Sequence, residues 1–129
     1  MTLLFDHDLK RIYARALIAI ARADAEIDTE EGERLKTRIE ERCELHLEDL
    51  LLEASVDADQ LVDAIRGGPF RGSAVRGDQV ARLLVEDGLF VALGKGHISP
   101  EEADQIWRYA AALGLSNDEF RRMTERWIP

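Results

Sequence analysis

The sequence predicts an all-α fold, a compact bundle of about seven helices built from two pseudo-repeated helical hairpins. Three observations carry that prediction. Ala, Leu, Glu and Arg are abundant while prolines number three, and those abundant residues are strong helix formers. Helix-start signatures recur along the chain, each followed by apolar residues at spacings of three and four. Finally, Asp24-Ala25-Glu26-Ile27-Asp28-Thr29-Glu30-Glu31 returns 71 residues later as Lys95-Gly96-His97-Ile98-Ser99-Pro100-Glu101-Glu102. Each copy follows an apolar run, Leu17–Ala21 in one case and Leu89–Leu93 in the other.

The first helix is expected from about Asp8 to Ala23, with Leu9, Ile12, Tyr13, Ala16 and Ile20 on one stripe. Asp28, with Glu31 three positions on, caps a second helix over about 29–44, where Leu35, Ile39 and Cys43 face inward. A short third helix fits roughly 47–54. Asp57 and Gln60 form a reciprocal cap for a fourth over 58–66. Gly67-Gly68-Pro69-Phe70-Arg71-Gly72-Ser73 then interrupts the helical pattern. A fifth helix over about 78–93 carries Val80, Leu83, Leu84, Leu89, Phe90 and Val91 around its whole circumference, the mark of a central buried helix. Ser99, Pro100 and Glu102 open a sixth, which ends at Leu113-Gly114. Ser116 and Glu119 cap a seventh, with Phe120, Met123 and Trp127 on its core face. The 129 residues form one domain, with halves at about 8–66 and 78–127 joined by a Gly/Arg-rich linker over 67–77. A chain of this length buries roughly 70% of its unfolded surface around a single core.

The net charge of −9 is unevenly placed. Residues 1–65 hold 17 acids against 8 Lys and Arg, whereas residues 66–129 hold 9 of each. Such a field disfavours nucleic acid and anionic lipid headgroups, and favours cations or basic protein surfaces. Cys43 is the single cysteine, so no internal disulfide forms, and its helical position predicts a small buried apolar residue. No apolar run approaches the ~20 residues of a membrane span and no leader pattern is visible. The expectation is a cytoplasmic protein without direct membrane insertion.

Asp24, Glu26 and Asp28 alternate along one loop, and Glu31 follows three residues into the next helix. This spacing matches the second half of an EF-hand loop, in which alternate residues turn oxygens toward a hard cation and a glutamate closes the site. The first half does not match. Its ligand positions hold Ile20 and Arg22, and Ala25 stands where a sharp turn requires glycine. What is left is a partial site, Asp24, Glu26, Asp28 and Glu31, that would take calcium or magnesium weakly, with Kd of ~10⁻⁴–10⁻³ M. Capping and the helix dipole account for Asp28, Glu30 and Glu31 without any ligand, at ~0.3–1 kcal/mol each. They do not account for Asp24 and Glu26, which with Glu30 form the candidate contact for a basic partner.

Ala19-Ile20-Ala21-Arg22-Ala23-Asp24-Ala25-Glu26-Ile27-Asp28-Thr29-Glu30-Glu31 resembles the signature of the tellurite-resistance TerB family, an apolar helix running into A-x-A-D-G-x-I-x-x-E-E. Ala92-Leu93-Gly94-Lys95-Gly96-His97-Ile98-Ser99-Pro100-Glu101-Glu102 and Ala111-Ala112-Leu113-Gly114-Leu115-Ser116 are similar to its second motif. The resemblance spans about Leu9 to Met123. A similar domain occurs in the membrane-anchored J-domain co-chaperone DjlA. The resemblance implies a non-enzymatic, all-helical interaction module in a bacterial stress-response system. It further implies an acidic surface, a bound divalent cation, and a protein partner at the inner face of the membrane. The chain departs from the signature at Ala25, where glycine is expected, and at Lys95, where aspartate is expected.

Glu86 and Asp87 interrupt the most apolar helix, and Asp87 falls on its core stripe. A buried carboxylate needs a partner, for which Arg11, Arg15 and Arg82 are the candidates. A carboxylate site around Glu86 and Asp87 is the alternative reading, an enzyme or enzyme accessory. Arg66, Arg71 and Arg76 punctuate the linker, with Phe70 as its apolar anchor. His7, His46 and His97 share no metal-ligand spacing, and no grouping for nucleophilic catalysis is visible.

Overall fold

In a computed structural model, residues 7–23, 27–51, 56–66 and 77–125 are described. Among them the chain is all-helical, with six α-helices and no strand: α1 (His7–Ala21), α2 (Thr29–Cys43), α3 (Ala58–Arg66), α4 (Gly77–Ala92), α5 (Pro100–Ala112) and α6 (Asn117–Thr124). Two single 3₁₀ turns, Leu47–Asp49 and Leu93–Lys95, follow α2 and α4. The third helix expected over 47–54 is the first of these turns as far as it is described. Its backbone bonds run three residues back, Asp49 N–H to the His46 carbonyl and Leu50 N–H to the Leu47 carbonyl. Leu50 is buried while Leu51 is exposed. The linker 67–76, with Phe70, Arg71 and Arg76, and Trp127 lie outside the described residues.

Caps written in the sequence set the helix starts. Asp28 Oδ1 accepts the Glu31 N–H at 2.8 Å. Asp57 and Gln60 bond reciprocally, at 2.8 and 2.9 Å. Ser99 and Glu102 do the same at 3.1 and 3.0 Å, with Pro100 at the first helical position. Ser116 Oγ accepts the Glu119 N–H at 3.2 Å. At the end of α5, Gly114 takes a left-handed φ of 99°. Its N–H reaches the Ala111 carbonyl and that of Leu115 reaches Ala110, so a six-to-one and a five-to-two bond together close the last turn.

α4 is the hub, packed against α1, α2, α5 and α6. Val80, Ala81, Leu84, Val85, Leu89 and Val91 are buried along it, and Leu83 and Phe90 are half-buried. Leu9, Tyr13, Leu17 and Ile20 of α1 meet it on one side, and Ile106 and Tyr109 of α5 belong to the same core. Trp107 and Phe120 join α5 to α6 edge to face, ring centroids 4.9 Å apart and planes at 78°. Arg82 grips Glu119 of α6 through Nε at 2.9 Å and Nη2 at 3.2 Å.

α2 ends without glycine. Glu44 occupies the left-handed cap at φ 58°, ψ 32°, a conformation that costs a residue with a Cβ about 1–2 kcal/mol. Its side chain gains an exposed contact with Lys10 at 3.2 Å, worth less than ~1 kcal/mol. Glu44→Gly is therefore expected to stabilise the fold by about 0.5–1 kcal/mol, read as a raised urea midpoint at unchanged slope.

Candidate functional site

The acidic segment enters α2 at Ile27 and Asp28. Asp28 is exposed and extended, and one of its two carboxylate oxygens is taken by the cap. Glu30 is exposed and 3.5 Å from Arg34. Glu31 is buried, 1% exposed. Its burial comes from the second loop. The turn Leu93–Lys95 lies against the first turn of α2, so closely that a Cβ on Gly94 would stand 2.9 Å from the Glu31 N and Cα. Glu102, which holds the matching place in α5, is fully buried as well. Of the paired glutamates in each loop, the first faces solvent and the second belongs to the packing.

Asp24 and Glu26 lie outside the described residues. Asp28 and Glu31, the two members of the expected cation set that are described, do not share a solvent-facing surface. Among the described residues no three His, Cys, Asp or Glu side chains are grouped as a metal ion would require. His46 is exposed near Glu40 at 3.9 Å, and His97 is exposed in the second loop.

Three arginines of α2 recur at every fourth position and turn toward α4. Arg34 Nη1 donates to the Phe90 carbonyl at 3.0 Å. The guanidinium carbons of Arg34 and Arg38 lie 4.9 and 4.1 Å from the Phe90 ring centroid, within cation–π range. Arg42 donates through Nε to both oxygens of Asp87, at 3.3 and 3.2 Å, and through Nη2 to Oδ1 at 3.2 Å. Arg38 Nε stands 3.1 Å from the same Oδ1. The Tyr13 hydroxyl completes the set, donating to Asp87 Oδ2 at 2.5 Å.

Asp87 is thus fully buried and held from two helices. Arg42 and Arg38 of α2 supply the countercharge, where Arg11, Arg15 and Arg82 were expected. The spacing 34–38–42 puts these arginines on one face of α2, but it does not say which element that face meets. Glu86, the next residue back, is exposed, so the two carboxylates do not form a pair. Burial, then the charge and hydrogen bond of Asp87, hold the Tyr13 hydroxyl well above its usual range. Burial lowers the Arg42 guanidinium, but the bonds and charge of Asp87 outweigh it and the net direction is upward. Burial and then Asp87 push the Cys43 thiol up to about 12, which makes a buried, protonated side chain rather than a nucleophile.

With its arginines turned inward, α2 presents a different face to solvent. Thr29, Glu30, Glu33, Lys36, Thr37, Glu40 and Glu41 are exposed, continued by Glu44, Glu48 and Asp49. Lys36 reaches Glu48 at 4.0 Å and Arg38 Nη1 reaches Glu41 at 3.4 Å, contacts of little strength in water. Concave surface lies elsewhere. A groove of about 690 Å³ between α5 and α6 is lined by Ala103, Trp107, Phe120 and Thr124. A cleft of about 460 Å³ is lined by Arg22, Asp57, Asp59, Arg108 and Tyr109. Neither is lined by Glu86 or Asp87.

A family model described as Tellurite resistance protein TerB matches residues 10–125. No curated protein and no solved structure gives a significant match.

Three outcomes follow from this geometry. Arg42→Leu leaves Asp87 with too few donors and costs about 3 kcal/mol, while adding Asp87→Leu restores part of that loss; denaturant midpoints of both variants check it. Gly94→Ala forces a methyl against backbone that cannot yield and costs about 1–3 kcal/mol, with a matching fall in the thermal midpoint. Cys43, Tyr13 and Tyr109 all titrate higher in the folded chain than their ordinary 9.0, 10.0 and 10.0, burial being the leading cause in each. The unfolded chain therefore loses these protons first, and stability falls as pH rises. The decline begins near pH 9 with Cys43 and steepens above 10 with the tyrosines, each group adding about 1.4 kcal/mol per pH unit. Cys43→Ala moves the onset to about pH 10 in a series of denaturation curves, and an unmoved onset would refute the assignment.

Proposed function

The chain belongs to the TerB family, and we propose that it serves there as a non-enzymatic interaction module of a tellurite-resistance-like stress response, receiving a basic protein surface on the acidic face of its first half. The observation that carries this reading is the orientation of α2. Its three arginines are engaged with Phe90 and Asp87, so Glu30, Glu33, Glu40 and Glu41 are left on its exposed face, continued by Glu44, Glu48 and Asp49. Asp28 and Glu30 are exposed at the start of that face, and Asp24 and Glu26 precede them in the sequence. Basic partners are drawn to such a field over distances set by the Debye length, about 8 Å at physiological salt. No helix among the described residues is long and apolar enough to cross a membrane. A cytoplasmic chain held at the inner membrane by its partner fits this surface.

A bound divalent cation is the second reading, favoured by Asp28, whose carboxylate keeps one oxygen outside the cap. Asp24, Glu26 and Asp28 would supply the ligands, and Glu31 would contribute through its place in the cap rather than from an exposed surface. The helix boundaries also support a repeated hairpin as the origin of the fold. α1 ends at Ala21 and α4 at Ala92, while α2 opens at Thr29 and α5 at Pro100. Both intervals equal the spacing of the sequence repeat. The alternative of a carboxylate enzyme site at Glu86 and Asp87 finds less support, because Asp87 is fully buried against Tyr13, Arg38 and Arg42 and lines neither cleft.

Two measurements separate the readings. With Kd of ~10⁻⁴–10⁻³ M, 10 mM calcium or magnesium stabilises the chain by about 1.4–2.7 kcal/mol, raising the thermal midpoint by roughly 5–10 °C. Chelator and Asp24→Ala/Glu26→Ala abolish the shift, and a midpoint indifferent to all three removes the cation. For the partner, affinity capture from cell extract is compared between wild type and Glu33→Lys/Glu40→Lys. A specific protein retained by the wild type at low salt, released by salt and lost in the variant is expected; equal retention by both would overturn the acidic face as the contact.

A further inference from the structure

We draw no further inference here: the strongest candidate, the groove between α5 and α6 lined by Trp107, Phe120 and Thr124, is an apolar face with nothing in the structure to show what covers it.

Discussion

A carboxylate with no exposed surface sits on the central helix, and the way α1 and α2 pack on that helix is tied to the need to satisfy it. Burying Asp87 unaccompanied would cost several kcal/mol. Tyr13 brings a hydroxyl from α1, and Arg42 and Arg38 bring guanidinium groups from α2. These bonds are directional where the surrounding apolar contacts are not, so they select one rotation of α1 and α2 about α4 among many that would bury similar area. Replacing the whole cluster by apolar side chains need not lower stability. Its contribution is to the uniqueness of the packing.

The same cluster decides what the surface looks like. A helix with four-residue spacing of arginine among glutamates could lie with either charge outward. Asp87 and the face of Phe90 draw Arg34, Arg38 and Arg42 inward: Arg34 and Arg38 lie over the ring, Arg42 bonds to the carboxylate, and all three stay partly exposed. The outward face keeps the glutamates. Charge separation across α2 is therefore a consequence of core packing, and the acidic surface and the buried ion cluster are two aspects of one orientation.

Local features of the fold were legible in the sequence and long-range pairings were not. Caps at Asp28, Asp57, Ser99 and Ser116 each depend on residues three apart, and each formed as the spacing required. The stop at Gly114 is equally local. The segment expected as a helix from residue 47 is a 3₁₀ turn over Leu47–Asp49, and the rest of its expected span, from residue 52, lies outside the described residues. Burial of Asp87 could be read from its place on an apolar stripe. Its partners could not, because arginines 45 and 49 positions away compete on equal terms with Arg82 five positions away and with Arg11 and Arg15 more than 70 away until the helix rotations are known. Nor could burial of Glu31 be read, since it requires knowing that Gly94 rests on the first turn of α2. Asp24 and Glu26 lie beyond the described residues, so the centre of the acidic loop rests on sequence.

The second loop serves as an internal control for the first. Asp28 and Ser99 perform the same task, each accepting the N–H of a glutamate three residues on, at 2.8 and 3.1 Å. Serine and aspartate rank equally as N-caps, and Ser99 shows that this fold closes a helix start without charge. Capping alone therefore does not select aspartate at position 28. The helix dipole favours it by ~0.3–1 kcal/mol at most, and Glu30 already offers the dipole a carboxylate in the same turn. Asp28 thus serves both the cap and the helix dipole with one side chain, where Ser99 serves the cap alone.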